Sequence, residues 1–397
     1  MDNALQRHQL AGELVEQIVS RGERRVSWRD RLDDVLLHPV WGFVALVVIL
    51  FIFFQLVYGF GKLIEAPVLA IFNAISSQVE SIFGTRSLLG ELAIGLIQGV
   101  SGGIAIVLPY LIPFLFGLSI LEDIGYLPRI AFLMDGLMHR LGLHGKAIVP
   151  FILGYGCNVP AVMSTRILEE RKDRIIAATL AVLVPCAARL SVVFGLVAFY
   201  LGPAWALGIY LFNIFVIALT GRILTRLLPE DTPGLILEMP SYRIPTLKNI
   251  VSKTWFRVRE FIVEAWPLLI LGSLLLAILV YYQLSVYIDV LVRPFTWLLG
   301  LPAETGVPLI FGIFRKELSL IMLRQALGVT DFSQALTYLQ MLVFTVFVVF
   351  YIPCLATLSA LRRELGWRSM LAVSALTVII ALAAGVFVRG VGIVLLP

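Results

Sequence analysis

Residues 41–61 read WGFVALVVILFIFFQLVYGFG, and no Lys, Arg, Asp or Glu interrupts them until Lys62. About 20 such residues, at about 1.5 Å each, cross the roughly 30 Å of hydrocarbon in a bilayer. Lipid offers no partner to a bare N–H or C=O, so this backbone must satisfy itself, and a helix does so. The rest of the chain has the same character: 59% hydrophobic, 14% charged, mean hydropathy +0.95. Soluble domains carry about a quarter charged residues. The fold class is therefore an all-α polytopic membrane protein. The 41–61 block is no cleavable signal segment: a long polar stretch precedes it, it exceeds an h-region, and further spans follow. A net charge of +5 with pI near 9.1 fits basic cytoplasmic loops and gives no ground for a nucleic-acid partner. Cys157, Cys186 and Cys354 all lie in apolar blocks, and neither their number nor their placement suggests a disulfide framework.

Outward from the first span, residues 1–38 read as a cytoplasmic amphipathic linker helix, with Leu10, Leu14, Ile18 and Val19 at helical spacing. Arg21, Arg24, Arg25, Arg29 and Arg31 follow them and place the N-terminus in the cytoplasm, beside lipid headgroups. Residues 39–90 hold the first span and an outer loop in which Lys62 and Arg86 are the basic residues. A first repeat occupies 91–228, a cytoplasmic linker 229–261, and a second repeat with a C-terminal span 262–397. The linker contains Asp231-Thr232-Pro233-Gly234, which looks like a GTPase switch fragment. No G-x-x-x-x-G-K-[ST] accompanies it, so it reads as a proline turn and the chain offers no GTP site.

The repeat is visible as ungapped Gly and Pro matches. Leu141-Gly142-Leu143, Val149-Pro150 and Gly154 recur as Leu299-Gly300-Leu301, Val307-Pro308 and Gly312, at an offset of 158 residues (299 − 141). Val184-Pro185-Cys186-Ala187-Ala188-Arg189-Leu190 is echoed by Ile352-Pro353-Cys354-Leu355-Ala356-Thr357-Leu358. Paired halves are typical of transporters, whose sites form at the repeat interface. The short 147–165 block has charge at both ends and contains Pro150, Gly154, Gly156 and Pro160. It predicts a broken or re-entrant helix with both ends cytoplasmic. Its counterpart near 304–323 should enter from the opposite side, which makes the repeats inverted.

Gly154-Tyr155-Gly156-Cys157-Asn158-Val159-Pro160 is the sharpest local signal. Glycines at 154 and 156 let the backbone open, Pro160 removes a donor, and carbonyls freed there become available to a cation. Cys157 adds soft sulfur and Asn158 an oxygen; the plain alternative is a packing motif with an inert buried thiol. Pro185-Cys186 and Pro353-Cys354 repeat the theme in register, each a kink that sets sulfur beside an unpaired carbonyl. A single such pair would be structural; two in register, with a third cysteine at a glycine-rich break, favour a metal path. Ionisable residues at membrane depth are costly and point to function. Glu122-Asp123 closes a long span, and Arg315-Lys316-Glu317 interrupts an apolar block at the repeat position of Cys157 to Val159. An internal ion pair and a gating role are both open for it. His8, His38, His139 and His144 lie in polar segments.

These residues also carry a resemblance. Gly154 to Pro160 resembles the G-[FY]-G-C-N-V-P signature of the FeoB ferrous-iron transporter family. Leu121 to Arg129 resembles its L-E-D-S-G-Y-M-A-R stretch, with Ile124, Leu127 and Pro128 as departures. Arg315-Lys316-Glu317 is similar to its R-K-E or G-K-E element, and Pro353 to Thr357 before Arg363-Glu364 to its P-C-x-A-T element. Asp33 and His38-Pro39 resemble the family's linker after its G domain. The resemblance implies two gate-type repeats that import Fe²⁺ across a prokaryotic plasma membrane as a multi-pass permease, not an enzyme. It implies Cys157, Asn158, Cys186 and Cys354 on the ion path. Glu122, Asp123 and Glu317 would attract or gate the ion, with Lys316 paired to one of these acids. It also implies a GTP-binding domain, either a separate G-protein subunit or a part missing from a shortened chain. Small cytosolic Feo-type accessory proteins and a homo-oligomer are compatible with it. A nucleoside or small-solute transporter of the same fold would need amides and aromatics at the breaks rather than sulfur. A non-transporting receptor or scaffold would leave the breaks idle.

Overall fold

The computed structural model describes Leu10 and residues 28–83, 87–140, 143, 145–228, 242–282, 285–316, 318–329 and 331–395. Most of the expected N-terminal amphipathic helix, the Asp231 to Gly234 turn, His144 and Glu317 lie outside the described residues. Among the described residues every regular element is a helix.

Helix α1 (Trp28–Leu36) packs at the foot of α2 (Trp41–Phe83). The 43 residues of α2 span about 64 Å at 1.5 Å per residue, about twice the hydrocarbon thickness. The expected outer loop at 62–90 is therefore mostly helix: residues 62–83 continue α2, and α3 (Leu88–Ser101) follows at once. Low charge marks a loop and a projecting helix alike. Here Ala66, Leu69, Ala70, Ala74, Gln78 and Glu80 favour the helix, and Pro67 is carried within it. Ser87 starts α3 by accepting from the Gly90 N–H at 3.0 Å.

A π-helical turn (Gly102–Val107) leads from α3 into α4 (Leu108–Ile124). Gly61 of α2 faces the Tyr110 ring while Gly117 faces Phe53, so α2 and α4 are antiparallel. At the end of α4, α5 (Tyr126–Arg140) places Arg129 on Asp33 of α1 at 2.6 and 3.1 Å. Lys253 of the 229–261 linker reaches Asp123 at 2.5 Å. This end of the molecule is the linker side; the other is the far side.

In the first repeat, α6 (Ile148–Gly156) and α7 (Asn158–Ser164) form a hairpin broken at Cys157, whose backbone is extended (φ −149°, ψ 132°). Lys146 and Glu169 meet at 3.5 Å across its two ends, so the hairpin enters and leaves on the linker side, as expected of a re-entrant segment. Helix α8 (Arg171–Leu183) starts from the same side, breaks over Val184 to Cys186, and resumes as α9 (Ala187–Val192), reaching the far side near Tyr200. Helix α10 (Pro203–Leu227) returns, α11 (Leu247–Glu260) lies along the linker side, and α12 (Trp266–Tyr281) passes back against α3.

The second repeat follows the same plan upside down. Helix α13 (Ser285–Leu299) turns by 118° into the segment containing α14 (Gly306–Phe314). That hairpin breaks at Arg315 (φ −147°, ψ 122°) before α15 (Leu318–Leu327). Gln340 donates to the Gly300 carbonyl at 3.2 Å, and the Phe332 N–H to the Tyr200 hydroxyl at 3.4 Å, so both ends lie on the far side. Helix α16 (Tyr338–Phe350) starts there under a Thr337–Gln340 capping box and breaks over Tyr351 to Cys354. Helix α17 (Leu355–Leu365) then ends on the linker side, where Glu364 pairs with Arg166. Helix α18 (Trp367–Leu395) closes the fold, with Arg389 donating to the Leu298 carbonyl at 2.7 Å. The broken helices thus run in opposite directions, and the repeats are inverted.

Among the described residues six helices are long and apolar enough to cross a membrane, seven if the bent pair counts as one span. Burial ranks them: 78% of the most apolar window of α16–α17 is buried, 61% of α8–α9 and 17% of α2. The two broken helices form the centre.

Candidate functional site

A helix that stops at depth leaves its last carbonyls without partners, and lipid cannot supply them. In α8 and α16 these are Val182, Leu183 and Val184, and Tyr351 and Ile352. The sequence reading expects such carbonyls to be free for a cation. The structure caps them with side chains instead. Asn158 donates to Val182 O at 3.2 Å and Asn213 to Leu183 O at 3.0 Å. Arg189 donates through Nη1 to Val182 O and, at 3.3 Å, to Val184 O, and through Nη2 to Tyr351 O at 3.3 Å. Lys316 donates to Ile352 O and lies 3.3 Å from the centroid of the Tyr351 ring. Tyr351 is held in turn by its hydroxyl on Leu309 O at 3.0 Å.

Arg189 is 0% and Lys316 2% exposed. A buried charge survives where hydrogen bonds replace its water, and strong carbonyl dipoles serve here. The repeat explains the placement, because Lys316 occupies the position of Asn158 (158 + 158). Each follows a hairpin break and each caps a carbonyl of the broken helix in its own half. One half uses a neutral amide, the other an ammonium. Arg189 ties the two breaks together, since it holds carbonyls of both.

Cys186 and Cys354 open α9 and α17 and lie within electrostatic reach of each other, of Arg189 and of Lys316. Cys354 Sγ meets Thr357 Oγ1 at 3.1 Å. Cys157 sits at the hairpin break, one residue before Asn158. All three thiols are free. Among the described residues no three His, Cys, Asp or Glu side chains converge on one point.

Several expected roles change. Gly154 and Gly156 do not open the backbone: they lie in α6, where Gly154 abuts Val184 and Gly156 the Phe114 ring. Pro160 lies in the first turn of α7, where its missing N–H costs nothing. Pro185 and Pro353 do sit in the breaks. Glu122 and Asp123 are paired with α11 rather than with Lys316: Lys253 lies 3.2 Å from Glu122 and 2.5 Å from Asp123, and Arg257 2.9 Å from Glu122. Their charges line the mouth of a cavity of about 440 Å³, walled by Pro160, Lys146, Arg166, Arg257 and Glu260. On the far side Tyr110 donates to Glu65, and its ring lies 5.9 Å from that of Tyr58, which senses Cys186. Sequence reading did not assign Arg189, Asn213 or Tyr351. A lone Arg and a lone Asn inside apolar blocks were the available signals.

Fold and site define a class: a membrane protein of two inverted gate-type repeats with a polar site where their broken helices meet. The family described as Gate, nucleoside recognition, matches residues 104–200 and 262–368, just over half of the chain. The family described as Ferrous iron transport protein B C terminus matches residues 206–257. The chain belongs to the FeoB family, whose membrane part it represents. It is 28% identical to a Fe(2+) transporter FeoB of Methanocaldococcus jannaschii over 98% of this chain and 62% of that protein. It is 28% identical to a Fe(2+) transporter FeoB of Staphylococcus aureus over 92% of this chain and 59% of that protein. It is 33% identical to a Fe(2+) transport protein A/Fe(2+) transporter FeoB fusion protein of Porphyromonas gingivalis over 69% of this chain and 33% of that protein. The chain thus spans less than two thirds of the length of these relatives. No solved structure matches it.

Proposed function

We propose that this chain is the membrane path of a ferrous-iron transporter, and that Fe²⁺ crosses where the two broken helices meet. The observation that carries this reading is the pair of Pro-Cys breaks, inverted and buried at the repeat interface, with Cys186 and Cys354 in reach of one another. Sulfur, amide oxygen and backbone carbonyl together suit a borderline divalent metal, and each alone binds weakly enough to release it. The relatives named as Fe(2+) transporters support iron as the substrate. A nucleoside, as in the Gate description, has no use for paired thiols.

The arrangement described here is the closed one. Arg189 and Lys316 hold the carbonyls that an arriving ion would use, and their charges repel a dication beside Cys186 and Cys354. Opening requires Lys316 to leave Ile352, and Arg189 to release one of the two breaks. Cys157, Asn158, Cys186 and Cys354 are the ion-path ligands of this reading. Glu122, Asp123 and Glu317 act in attraction or gating. The linker side, with Arg29, Lys146, Arg166 and Arg171, faces the cytoplasm of a prokaryotic cell. A GTP-binding partner or domain drives opening from that side.

The test is anaerobic Fe²⁺ uptake into proteoliposomes with and without that partner. Uptake by the unaltered protein, and loss of most of it in Cys186→Ser and Cys354→Ser, is the expected result. No uptake with partner and nucleotide present would sink the iron reading.

A further inference from the structure

Asn213 lies on α10, outside both breaks, and is 1% exposed. Its amide touches the carbonyl of Leu183, the last residue of α8, at 3.0 Å. Only a donor can face that carbonyl, so the nitrogen is fixed on Leu183 and the oxygen is turned the other way. That oxygen, Oδ1, is buried and has no hydrogen-bond partner. Asn158 repeats the pattern on the preceding carbonyl: its nitrogen is on Val182 O, and its Oδ1 is buried without a partner. Two adjacent carbonyls of one broken helix thus hold two amides by their nitrogens and leave two oxygens unsatisfied.

A buried acceptor without a partner costs about 1–3 kcal/mol, and such groups are rare enough to demand a cause. Solvent does not supply it at Asn213. The void that Asn213 shares with Pro185, Ile209 and Tyr210 has no room for a water molecule. Another protein donor is ruled out by the lack of any partner. What remains is an electropositive visitor that is absent in the closed arrangement. Cys186 follows Leu183 by one turn's length of chain, and Pro185 lines the same void as Asn213, so sulfur and amide oxygen border one place.

We propose that Asn213 is an oxygen ligand for the transported divalent transition-metal cation, forming with Asn158 and Cys186 a mixed oxygen–sulfur step at the first break. The inference rests on the cation-path reading above. Neutral amide oxygens bind a dication without the grip of carboxylates, which suits a step the ion must leave. The inverted half has no matching pair, because Lys316 stands at the position of Asn158. The first break is therefore the receiving half and the second supplies the lock.

Two variants of the full chain separate a ligand from a prop. Asn213→Leu loses both donor and acceptor. Asn213→Asp loses the donor to Leu183 when ionised, yet strengthens the acceptor. The probe is Co²⁺, titrated anaerobically into solubilised protein, because its sulfur-to-metal charge-transfer absorption reports binding beside a thiolate. The folded fraction is read in parallel by thermal unfolding. A ligand role predicts Co²⁺ binding weakened about tenfold or more in Asn213→Leu and equal or tighter than unaltered protein in Asn213→Asp. If the two variants lose thermal stability together while Co²⁺ affinity per folded molecule stays unchanged, Asn213 is only a prop and the proposal falls. Absence of Co²⁺ binding by the unaltered protein overturns it as well. Fe²⁺ uptake by the same samples keeps the two ideas apart: Co²⁺ binding without Fe²⁺ movement removes the transport reading and leaves the ligand assignment standing.

Discussion

At the scale of single residues, the site depends on which group answers each carbonyl left over at a helix break. Asn158 and Lys316 occupy equivalent positions and do the same mechanical work, yet one leaves an open oxygen and the other a positive charge. Replacing Lys316 by Gln keeps a donor for Ile352 O and removes the charge. Divalent-metal affinity at the breaks should rise about tenfold, equivalent to about 1.4 kcal/mol, in a titration of solubilised Lys316→Gln. Unchanged or weaker binding would mean that Lys316 does not compete with the ion. Cys157, Cys186, Cys354 and Asn158 were legible in the sequence because glycine, proline and sulfur are rare and conspicuous in apolar blocks. Arg189 and Asn213 were not, since a sequence does not say which carbonyl a lone polar side chain will reach.

At the scale of elements, close helix contact rests on absent side chains. A Cβ on Gly95 would come 2.7 Å from the Ala277 Cβ, and one on Gly99 2.7 Å from the Ile270 Cα. Small residues four apart let α3 and α12 approach backbone to backbone, where lipid provides no hydrophobic drive. Gly99→Leu meets backbone that cannot turn aside. The expected cost is about 1–3 kcal/mol or more, seen as a lower thermal-unfolding midpoint in detergent, whereas Gly208→Leu, with nothing within 4 Å, should leave it unchanged. Equal midpoints for the two variants would show that the α3–α12 seam is looser than described. The length of α2 was the main misjudgement of the sequence reading at this scale. Hydropathy finds where a helix meets lipid and is silent on how far it continues beyond.

At the scale of the whole molecule, ion pairs on the linker side join parts distant in sequence. Arg166 of the first hairpin donates at 2.6 Å to Glu364 at the end of α17, with Glu260 of α11 at 3.6 Å. If hairpin and α17 move as one gate, Arg166→Glu should lower Fe²⁺ uptake severalfold, and adding Glu364→Arg should restore much of it. No recovery in the double variant would argue against coupling through this pair. Asp33 ties α1 to Arg129 and to the Tyr242 hydroxyl, and the hydrogen-bonded guanidinium holds its carboxyl below the ordinary value of 3.8. A lowered folded pKa means stability that is full above 3.8 and fades as pH falls through the folded value. The gap in thermal-unfolding midpoint between the unaltered protein and Asp33→Asn should therefore persist at pH 6 and close near pH 3; a gap independent of pH would contradict this account. The sequence by itself determined the membrane class, the doubled plan, the positions of the breaks and their sulfur, because apolar length, proline and glycine act locally. The opposed direction of the two halves was expected from charge at the hairpin ends and becomes explicit in the Lys146–Glu169 and Gln340–Gly300 contacts. Only the tertiary structure decided that the carbonyls at the breaks are occupied by Arg189 and Lys316 and that two amide oxygens are left open. Which donor meets which acceptor is settled by helices packing across the repeat interface, over separations as long as that of Arg189 from Tyr351, and no local pattern in the chain encodes that meeting.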